Sequence, residues 1–246
     1  MSSTDRDQDE PAVQALREQV MGAAAAHGPS GEARAALLAD LQRAVAAERG
    51  AGAWLRSRST TVRTALALAT LLAVVLATVV GWLRPDLSVY PAGRMAAIAL
   101  FIAAGAALEL LLALRPLSRP ALRDWVAPLA TLGALIGLAA LYALPAAHLA
   151  HPASLHAPGL AELASRAVRC LAIGVPLALS FYALLRVLDR GGAERALSAA
   201  AYSGLCANLA LQLHCPITAP AHMLFGHFGV ALVVIGVALV QRLRAR

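Results

Sequence analysis

The chain has 246 residues, of which 59% are hydrophobic and 14% charged, and its formal net charge is +7. Its long apolar runs exceed what a soluble core needs, so the composition excludes an ordinary soluble domain and predicts an integral membrane protein. All 21 basic residues are arginine. Because arginines near helix ends set membrane topology, the positive charge requires no direct nucleic-acid partner.

The first 62 residues form a polar tail with two short amphipathic stretches, separated by the helix breaker His27-Gly28-Pro29-Ser30-Gly31. Each stretch carries apolar residues at helical spacing, which predicts a short helix with one apolar stripe. The stripes are Val13, Leu16 and Val20 in the first stretch, and Leu37, Leu38, Leu41 and Val45 in the second. Neither stripe forms a core alone, so we expect the tail to be partly disordered or to fold against a partner. A solvated leader without a partner is the alternative.

Residues 63–246 contain six runs that are apolar enough to cross a bilayer. A spanning helix needs roughly 20 apolar residues for a hydrocarbon core of about 30 Å. The predicted spans are Ala65 to Leu83, Met95 to Leu114, Trp125 to Leu144, Val168 to Leu188, Ala196 to His214 and Met223 to Leu243. The sequence therefore predicts an all-α polytopic protein with a tail over 1–62 and a six-helix transmembrane domain over 63–246.

The arginines beside these spans predict the orientation, because basic residues accumulate on the cytoplasmic side. A cytoplasmic N-terminus leaves only four juxtamembrane arginines outside. They are Arg84, Arg94, Arg166 and Arg169. Both termini are therefore predicted to be cytoplasmic, and the turn between the fifth and sixth spans is predicted to face the exterior.

This turn and the helix after it concentrate the reactive side chains, which are His214, Cys215, His222 and His227. Helix rise puts Cys215 at the outer end of the fifth span, and Cys170 near the outer start of the fourth. Two thiols at one level outside the cytoplasm can form a disulfide if their Cα atoms come within about 7 Å. Together with imidazoles they can also bind a soft or borderline metal. We interpret Cys206, at mid-span, as a small buried hydrophobic residue.

Several fragments resemble one family of bacterial membrane regulators. They are Leu213-His214-Cys215-Pro216 followed by Pro220 and His227, Cys170-Leu171-Ala172-Ile173 with Pro176 and Leu177, and Arg84-Pro85-Asp86-Leu87. These fragments and the six-span layout resemble the NrsF family of membrane anti-sigma factors. The resemblance implies that a cytoplasmic N-terminal segment holds an extracytoplasmic-function sigma factor. It also implies two periplasmic-side sensor cysteines, which correspond to Cys170 and Cys215.

The sequence thus predicts a multi-pass protein of the bacterial inner membrane that is not an enzyme. The hypothesis is an anti-sigma factor whose tail stripes sequester the sigma factor and release it when Cys170 and Cys215 sense metal or oxidative stress. Its partners are the sigma factor and the lipid bilayer. No cofactor is required, but a transient zinc, copper or cadmium ion is expected at the sensor site. The auxiliary or tuning residues are His214, His222 and His227, interpreted as short of a complete metal site.

Two other hypotheses remain open at this stage. In the first, the three histidines bind haem, or the cysteines exchange with a quinone-linked partner, in a membrane redox protein. In the second, the chain is a small transporter built around Glu109, because an intramembrane carboxylate can mark a proton path.

Overall fold

The structure is a computed structural model. It describes residues 35–36, 38–40, 51–88, 90–116, 123, 125–144, 159–189 and 195–244. These residues form helices joined by turns and short connections, with no strand among them, which confirms the predicted all-α class. Contacts divide the chain into Met1–Gly50 and Ala51–Arg246, whereas the sequence put the boundary after residue 62. The difference arises because the short helix α1 (Ala51–Ser57) packs on a spanning helix.

Only a small part of the N-terminal unit is described. Residues 35–36 and 38–40 are helical and exposed, and the side chain of Leu38 is 54% exposed. The other predicted stripe residues lie outside the described residues. They are Val13, Leu16, Val20, Leu37, Leu41 and Val45. Their role in binding a partner therefore stays a prediction.

Among the described residues, six helices are long and apolar enough to cross a membrane, as predicted, so the chain is a multi-pass membrane protein. They are α2 (Thr60–Trp82), α3 (Ala92–Ala113), α4 (Val126–Ala143), α5 (Leu160–Leu188), α6 (Ala196–His214) and α7 (Pro220–Arg244). Helix α5 begins earlier than the predicted Val168. Its added turns carry Glu162 and Arg166, which lie before the predicted span and form an ion pair one turn apart.

Helix α6 lies at the centre of the bundle. In an apolar stretch of 18 residues, 89% of α6 is buried, against 11% of the corresponding stretch of α2. Helix α6 also contacts every other spanning helix. Its many Ala, Ser and Gly residues allow this, because small side chains let helix backbones approach closely. A Cβ added at Gly204 would lie 2.9 Å from the Cα of Ala231, so α6 and α7 pack with their backbones almost in contact.

Buried polar groups also link the spanning helices. The Tyr142 hydroxyl donates to Asn208 Oδ1 at 3.0 Å, which joins α4 to α6. Glu109 of α3 is fully buried and accepts a hydrogen bond from the Thr131 hydroxyl of α4 at 3.1 Å. Such bonds join helices where the surroundings offer no water.

Candidate metal centre

Two cysteines and two histidines meet at one end of the bundle. Cys170 lies on α5, Cys215 directly follows α6, and His222 and His227 lie on α7. Their ligand atoms all lie within 4.8 Å of one another. All four side chains are buried, with exposed fractions of 6% for each cysteine, 1% for His222 and none for His227. The four residues, called here the Cys2His2 cluster, define the cluster end of the bundle.

Helix rise explains why the two cysteines meet. Cys170 and Leu188 are separated by almost the same length of helix as Cys215 and Ala196. At about 1.5 Å per residue, both sulfurs therefore lie roughly 30 Å from the opposite end of the bundle. Because α5 and α6 run antiparallel and pack together, equal depth places the two thiols side by side.

A π-helical turn in α7 brings the two histidines to one face. Helix α7 is α-helical over Pro220–His222, π-helical over Met223–Phe228 and α-helical again over Gly229–Arg244. In a regular α-helix, residues five apart point about 140° away from each other. A π-turn bonds residues five apart, so such residues lie close to one face. The imidazoles of His222 and His227 accordingly meet, with ring centroids 5.5 Å apart.

Gly226 allows the π-turn to approach α5. A Cβ added at this position would lie 3.2 Å from the Cα of Ala167 and 3.3 Å from the Cβ of Cys170. Both distances are shorter than the optimum for carbon atoms, about 3.5–4.0 Å. The absence of a side chain at Gly226 therefore sets how closely His227 can approach Cys170.

The distances within the cluster resemble the edges of a tetrahedron around one metal ion. The two sulfurs are 3.7 Å apart, and Nε2 of His222 lies 3.4 Å from Cys170 Sγ and 3.3 Å from Cys215 Sγ. With metal–sulfur bonds of about 2.3 Å and metal–nitrogen bonds of about 2.0–2.1 Å, tetrahedral edges are ~3.8 Å between sulfurs and ~3.5 Å between sulfur and nitrogen. Cys170, Cys215 and His222 would therefore need little movement to bind a tetrahedral ion, and the ligand nitrogen of His227 lies within 4.8 Å of their ligand atoms.

The hydrogen bonding of the cluster also fits a metal ion. Within the described part of the chain, neither ring nitrogen of His227 makes a hydrogen bond, nor does Nδ1 of His222. The edge of the His227 ring instead faces Tyr142, with centroids 5.9 Å apart. A buried polar atom without a partner is costly, and coordination would satisfy one nitrogen of His227.

One of the two thiols is prepared as a ligand. The hydrogen bond from the Cys170 thiol, followed by contacts with His222 and His227, lowers the pKa of Cys215 well below the usual thiol range, although burial opposes this shift. The thiolate is the form that binds metals and reacts with oxidants.

Not every predicted residue joins the cluster. His214 is half-buried, and its Nδ1 lies 2.9 Å from the carbonyl oxygen of Trp82, outside the cluster. Cys206 is fully buried within α6, in agreement with its interpretation as a small hydrophobic residue. Conversely, His222 and His227, which the sequence presents as auxiliary residues, lie beside the two cysteines, so that four side chains could hold one ion.

Arg84 has a role that the sequence does not predict. The sequence indicates only an arginine outside the membrane and part of a family fragment, whereas the Arg84 side chain is buried beside the turn that carries Cys215. Its guanidinium forms an ion pair with Asp86, in which Nε lies 2.7 Å from Oδ1, and it stacks over the Tyr90 ring at 4.2 Å. The sequence does place Arg84 only two residues before Asp86, and this spacing could have indicated an ion pair that stabilises a buried guanidinium.

No family model, curated protein or solved structure matches this chain. The resemblance to the NrsF family therefore rests on the sequence fragments alone, and the function must be inferred from the chemistry of the Cys2His2 cluster.

Proposed function

We propose that this chain is a membrane sensor of a divalent metal ion, bound by Cys170, Cys215, His222 and His227, and that it acts as an inner-membrane anti-sigma factor. The observation that carries the proposal is the buried Cys2His2 cluster, whose ligand atoms all lie within 4.8 Å of one another. Thiolate and imidazole are the ligands that zinc and related soft ions prefer.

Charge balance favours a divalent ion. Two thiolates and two neutral imidazoles carry a net charge of about −2, so Zn²⁺ or Cd²⁺ gives a neutral complex, whereas Cu⁺ leaves a charge of about −1. The cysteines and histidines are almost completely shielded from solvent. A net charge in such surroundings is costly. We therefore expect the stimulus to be a divalent ion that prefers thiolate and imidazole ligands, such as Zn²⁺ or Cd²⁺.

Thiol oxidation is the second stimulus that the sequence predicted. Loss of two electrons by the two sulfurs and of the thiol proton by Cys170, with a peroxide-class oxidant reduced to water and hydroxide, would form a disulfide. A sulfur–sulfur bond is about 2.05 Å long, whereas the sulfurs are 3.7 Å apart. Each cysteine is only 6% exposed, so an oxidant has little access. Metal binding would use both histidines, and Cys170, Cys215 and His222 already lie near tetrahedral distances.

The packing of the histidines is less suited to haem. His222 and His227 are in direct contact with each other, and His227 also contacts Tyr142. A porphyrin plane between the two imidazoles would have to separate them and open the buried end of the bundle. Glu109, the basis of the transporter hypothesis, is hydrogen-bonded to Thr131 and supplies no ligand to the cluster.

The output of the sensor is assigned to the N-terminal tail. The resemblance to the NrsF family and the two amphipathic stripes support binding of an extracytoplasmic-function sigma factor in the cytoplasm. The exposed helical residue Leu38 is compatible with such a contact. For the ion to release the sigma factor, it must bind two conformations of the chain unequally.

The experiment uses the full chain in lipid nanodiscs as bait for sigma factors in a bacterial lysate, followed by elution with Cd²⁺. A sigma factor should be retained and then released by Cd²⁺. The variant with Cys170→Ser and Cys215→Ser should retain it without release, whereas Cys206→Ala should behave as the wild type.

Two results would contradict the proposal in separate ways. Absence of any retained sigma factor would refute the assigned output. Failure of the wild-type chain to bind Cd²⁺ in equilibrium dialysis would refute the metal centre, whatever the tail binds.

A further inference from the structure

Arg84 ties the connection after α2 to the turn that carries Cys215. The Arg84 side chain is buried, and its guanidinium donates to the carbonyl oxygens of Gln212 at 3.4 Å and Pro216 at 3.3 Å. The backbone N–H of Arg84 donates to the carbonyl oxygen of Leu213 at 2.9 Å. These carbonyls lie just before and just after Cys215, at the end of α6, where helix carbonyls lack partners within the helix.

The guanidinium is itself held firmly. Asp86 accepts two hydrogen bonds from it, each 2.7 Å long, and the Tyr90 ring lies beneath it at 4.2 Å. A second contact reinforces the link, since Nδ1 of His214 lies 2.9 Å from the carbonyl oxygen of Trp82, the last residue of α2. A planar guanidinium that donates two hydrogen bonds to one carboxylate is rigidly oriented. If one of its acceptors moves, the guanidinium and its other acceptors are therefore expected to move too.

Helix α2 is the least buried of the described spanning helices. Its buried residues are Arg63, Ala67 and Thr78, Leu71 and Val74 are partly buried against the core, and most of its other side chains are exposed. At the opposite end of the bundle, Arg63 Nη1 donates to the carbonyl oxygen of Leu188 at 2.8 Å. The Tyr202 hydroxyl donates to the carbonyl oxygen of Ala67 at 3.2 Å. Helix α2 thus lies at the periphery of the bundle with polar attachments towards both ends, and one of these attachments is the turn that carries Cys215.

We infer that Arg84 is a positioning residue that transmits movement of Cys215 to α2, and along the chain to α1 and the N-terminal tail. The inference rests on the proposed function for its stimulus. The four ligand atoms lie within 4.8 Å of one another, whereas tetrahedral edges are ~3.8 Å or less. Closing the Cys2His2 cluster around an ion therefore draws His227 and the turn at Cys215 together, and with that turn the carbonyls that Arg84 holds. Because α2 is the least buried of the described spanning helices, a shift of α2 disturbs the core around α6 less than a shift of any other span would.

The test measures amide hydrogen exchange of the full chain in lipid nanodiscs, with and without Cd²⁺. The peptides of interest cover Ala51–Ser57 and the first turns of α2, far from the cluster. Arg84→Gln removes the link, and Arg94→Gln is the matched control. Arg94 also donates to a helix-terminal carbonyl oxygen, that of Leu144 at 2.6 Å, but it joins α3 to α4 rather than α2 to α6.

In the wild type and in Arg94→Gln, Cd²⁺ should change exchange at α1 and the start of α2 by about fivefold or more, the lower end of usual allosteric coupling. Arg84→Gln should lose this change while its Cd²⁺ affinity falls by less than about tenfold, the smallest loss usual for residues that support metal ligands. A merely structural role would not separate binding from transmission in this way. Should Arg84→Gln fail to fold, Arg84→Lys keeps the charge without the planar fork and should lose most of the change.

A Cd²⁺-bound Arg84 variant that keeps the full exchange change would overturn the inference and leave the metal centre intact. So would a wild-type chain that binds Cd²⁺ without any change at α1 and α2. Loss of the change in Arg94→Gln as well would also overturn it, because any loosened connection would then have the same effect. A wild-type chain that does not bind Cd²⁺ overturns the metal centre, and the inference with it.

Discussion

Replacing Gly226 with alanine should weaken metal binding without removing a ligand. The added Cβ would lie 3.2 Å from the Cα of Ala167 and 3.3 Å from the Cβ of Cys170. Restoring ordinary carbon contacts of about 3.5–4.0 Å requires a displacement of roughly 0.3–0.7 Å between the π-turn and α5. This exceeds the deviation of about 0.2 Å that metal–ligand distances tolerate. We therefore expect Cd²⁺ affinity to fall about 10- to 100-fold, or ~1.4–2.7 kcal/mol.

The control is Gly236→Ala on the same helix, because a Cβ at Gly236 would meet nothing within 4 Å. Both substitutions increase helix propensity equally, so their difference isolates the contact with α5. Cd²⁺ affinity is measured in nanodiscs by competition with a chelator, and thermal unfolding verifies that both variants fold. Equal Cd²⁺ affinities for Gly226→Ala and Gly236→Ala would refute the claim that close packing of the π-turn sets the geometry of the centre.

Three further outcomes follow from the same geometry. His227→Ala should lower Cd²⁺ affinity by about 100-fold or more, whereas His214→Ala should leave it unchanged, by the same competition assay. Because the lowered pKa of Cys215 leaves it ionised at neutral pH, Cd²⁺ should displace about one proton rather than two. The logarithm of its affinity should then rise by about one per pH unit from roughly pH 6 to 8 in titrations, and a slope near two would contradict this. Gly204→Ala places a Cβ 2.9 Å from a backbone carbon of α7, so it should destabilise the bundle by ~1–3 kcal/mol in denaturant unfolding. Gly133→Ala, with nothing within 4 Å, should not.

The spanning helices could be predicted because each one is a continuous apolar run in the sequence. The start of α5 could not, since Glu162 and Arg166 interrupt the apolar run yet continue the helix as an ion pair. Hydropathy measures transfer into lipid, whereas a helix end outside the lipid depends on local pairing. The central position of α6 also escaped prediction, because it depends on close contacts such as that between Gly204 and Ala231.

Part of the candidate site could likewise be predicted from the sequence, and part of it could not. The common depth of Cys170 and Cys215 follows from residue counts and helix rise, and the structure brings their sulfurs to 3.7 Å. The convergence of His222 and His227 depends on a π-turn that regular helical periodicity does not contain. The role of Arg84 depends on tertiary contacts with carbonyls more than a hundred positions away in the chain. Backbone carbonyls carry no signature in the sequence, so such a contact cannot be inferred from residue types.

The central claim is that Cys170, Cys215, His222 and His227 hold one divalent ion in a tetrahedral centre. X-ray absorption of the Zn²⁺-loaded chain in lipid tests it most directly. We expect two sulfur ligands at about 2.3 Å and two nitrogen ligands at about 2.0–2.1 Å, with one ion per chain that is lost in the Cys170→Ser, Cys215→Ser variant. A coordination shell of oxygen and nitrogen alone, or a spectrum unchanged in that variant, would contradict it.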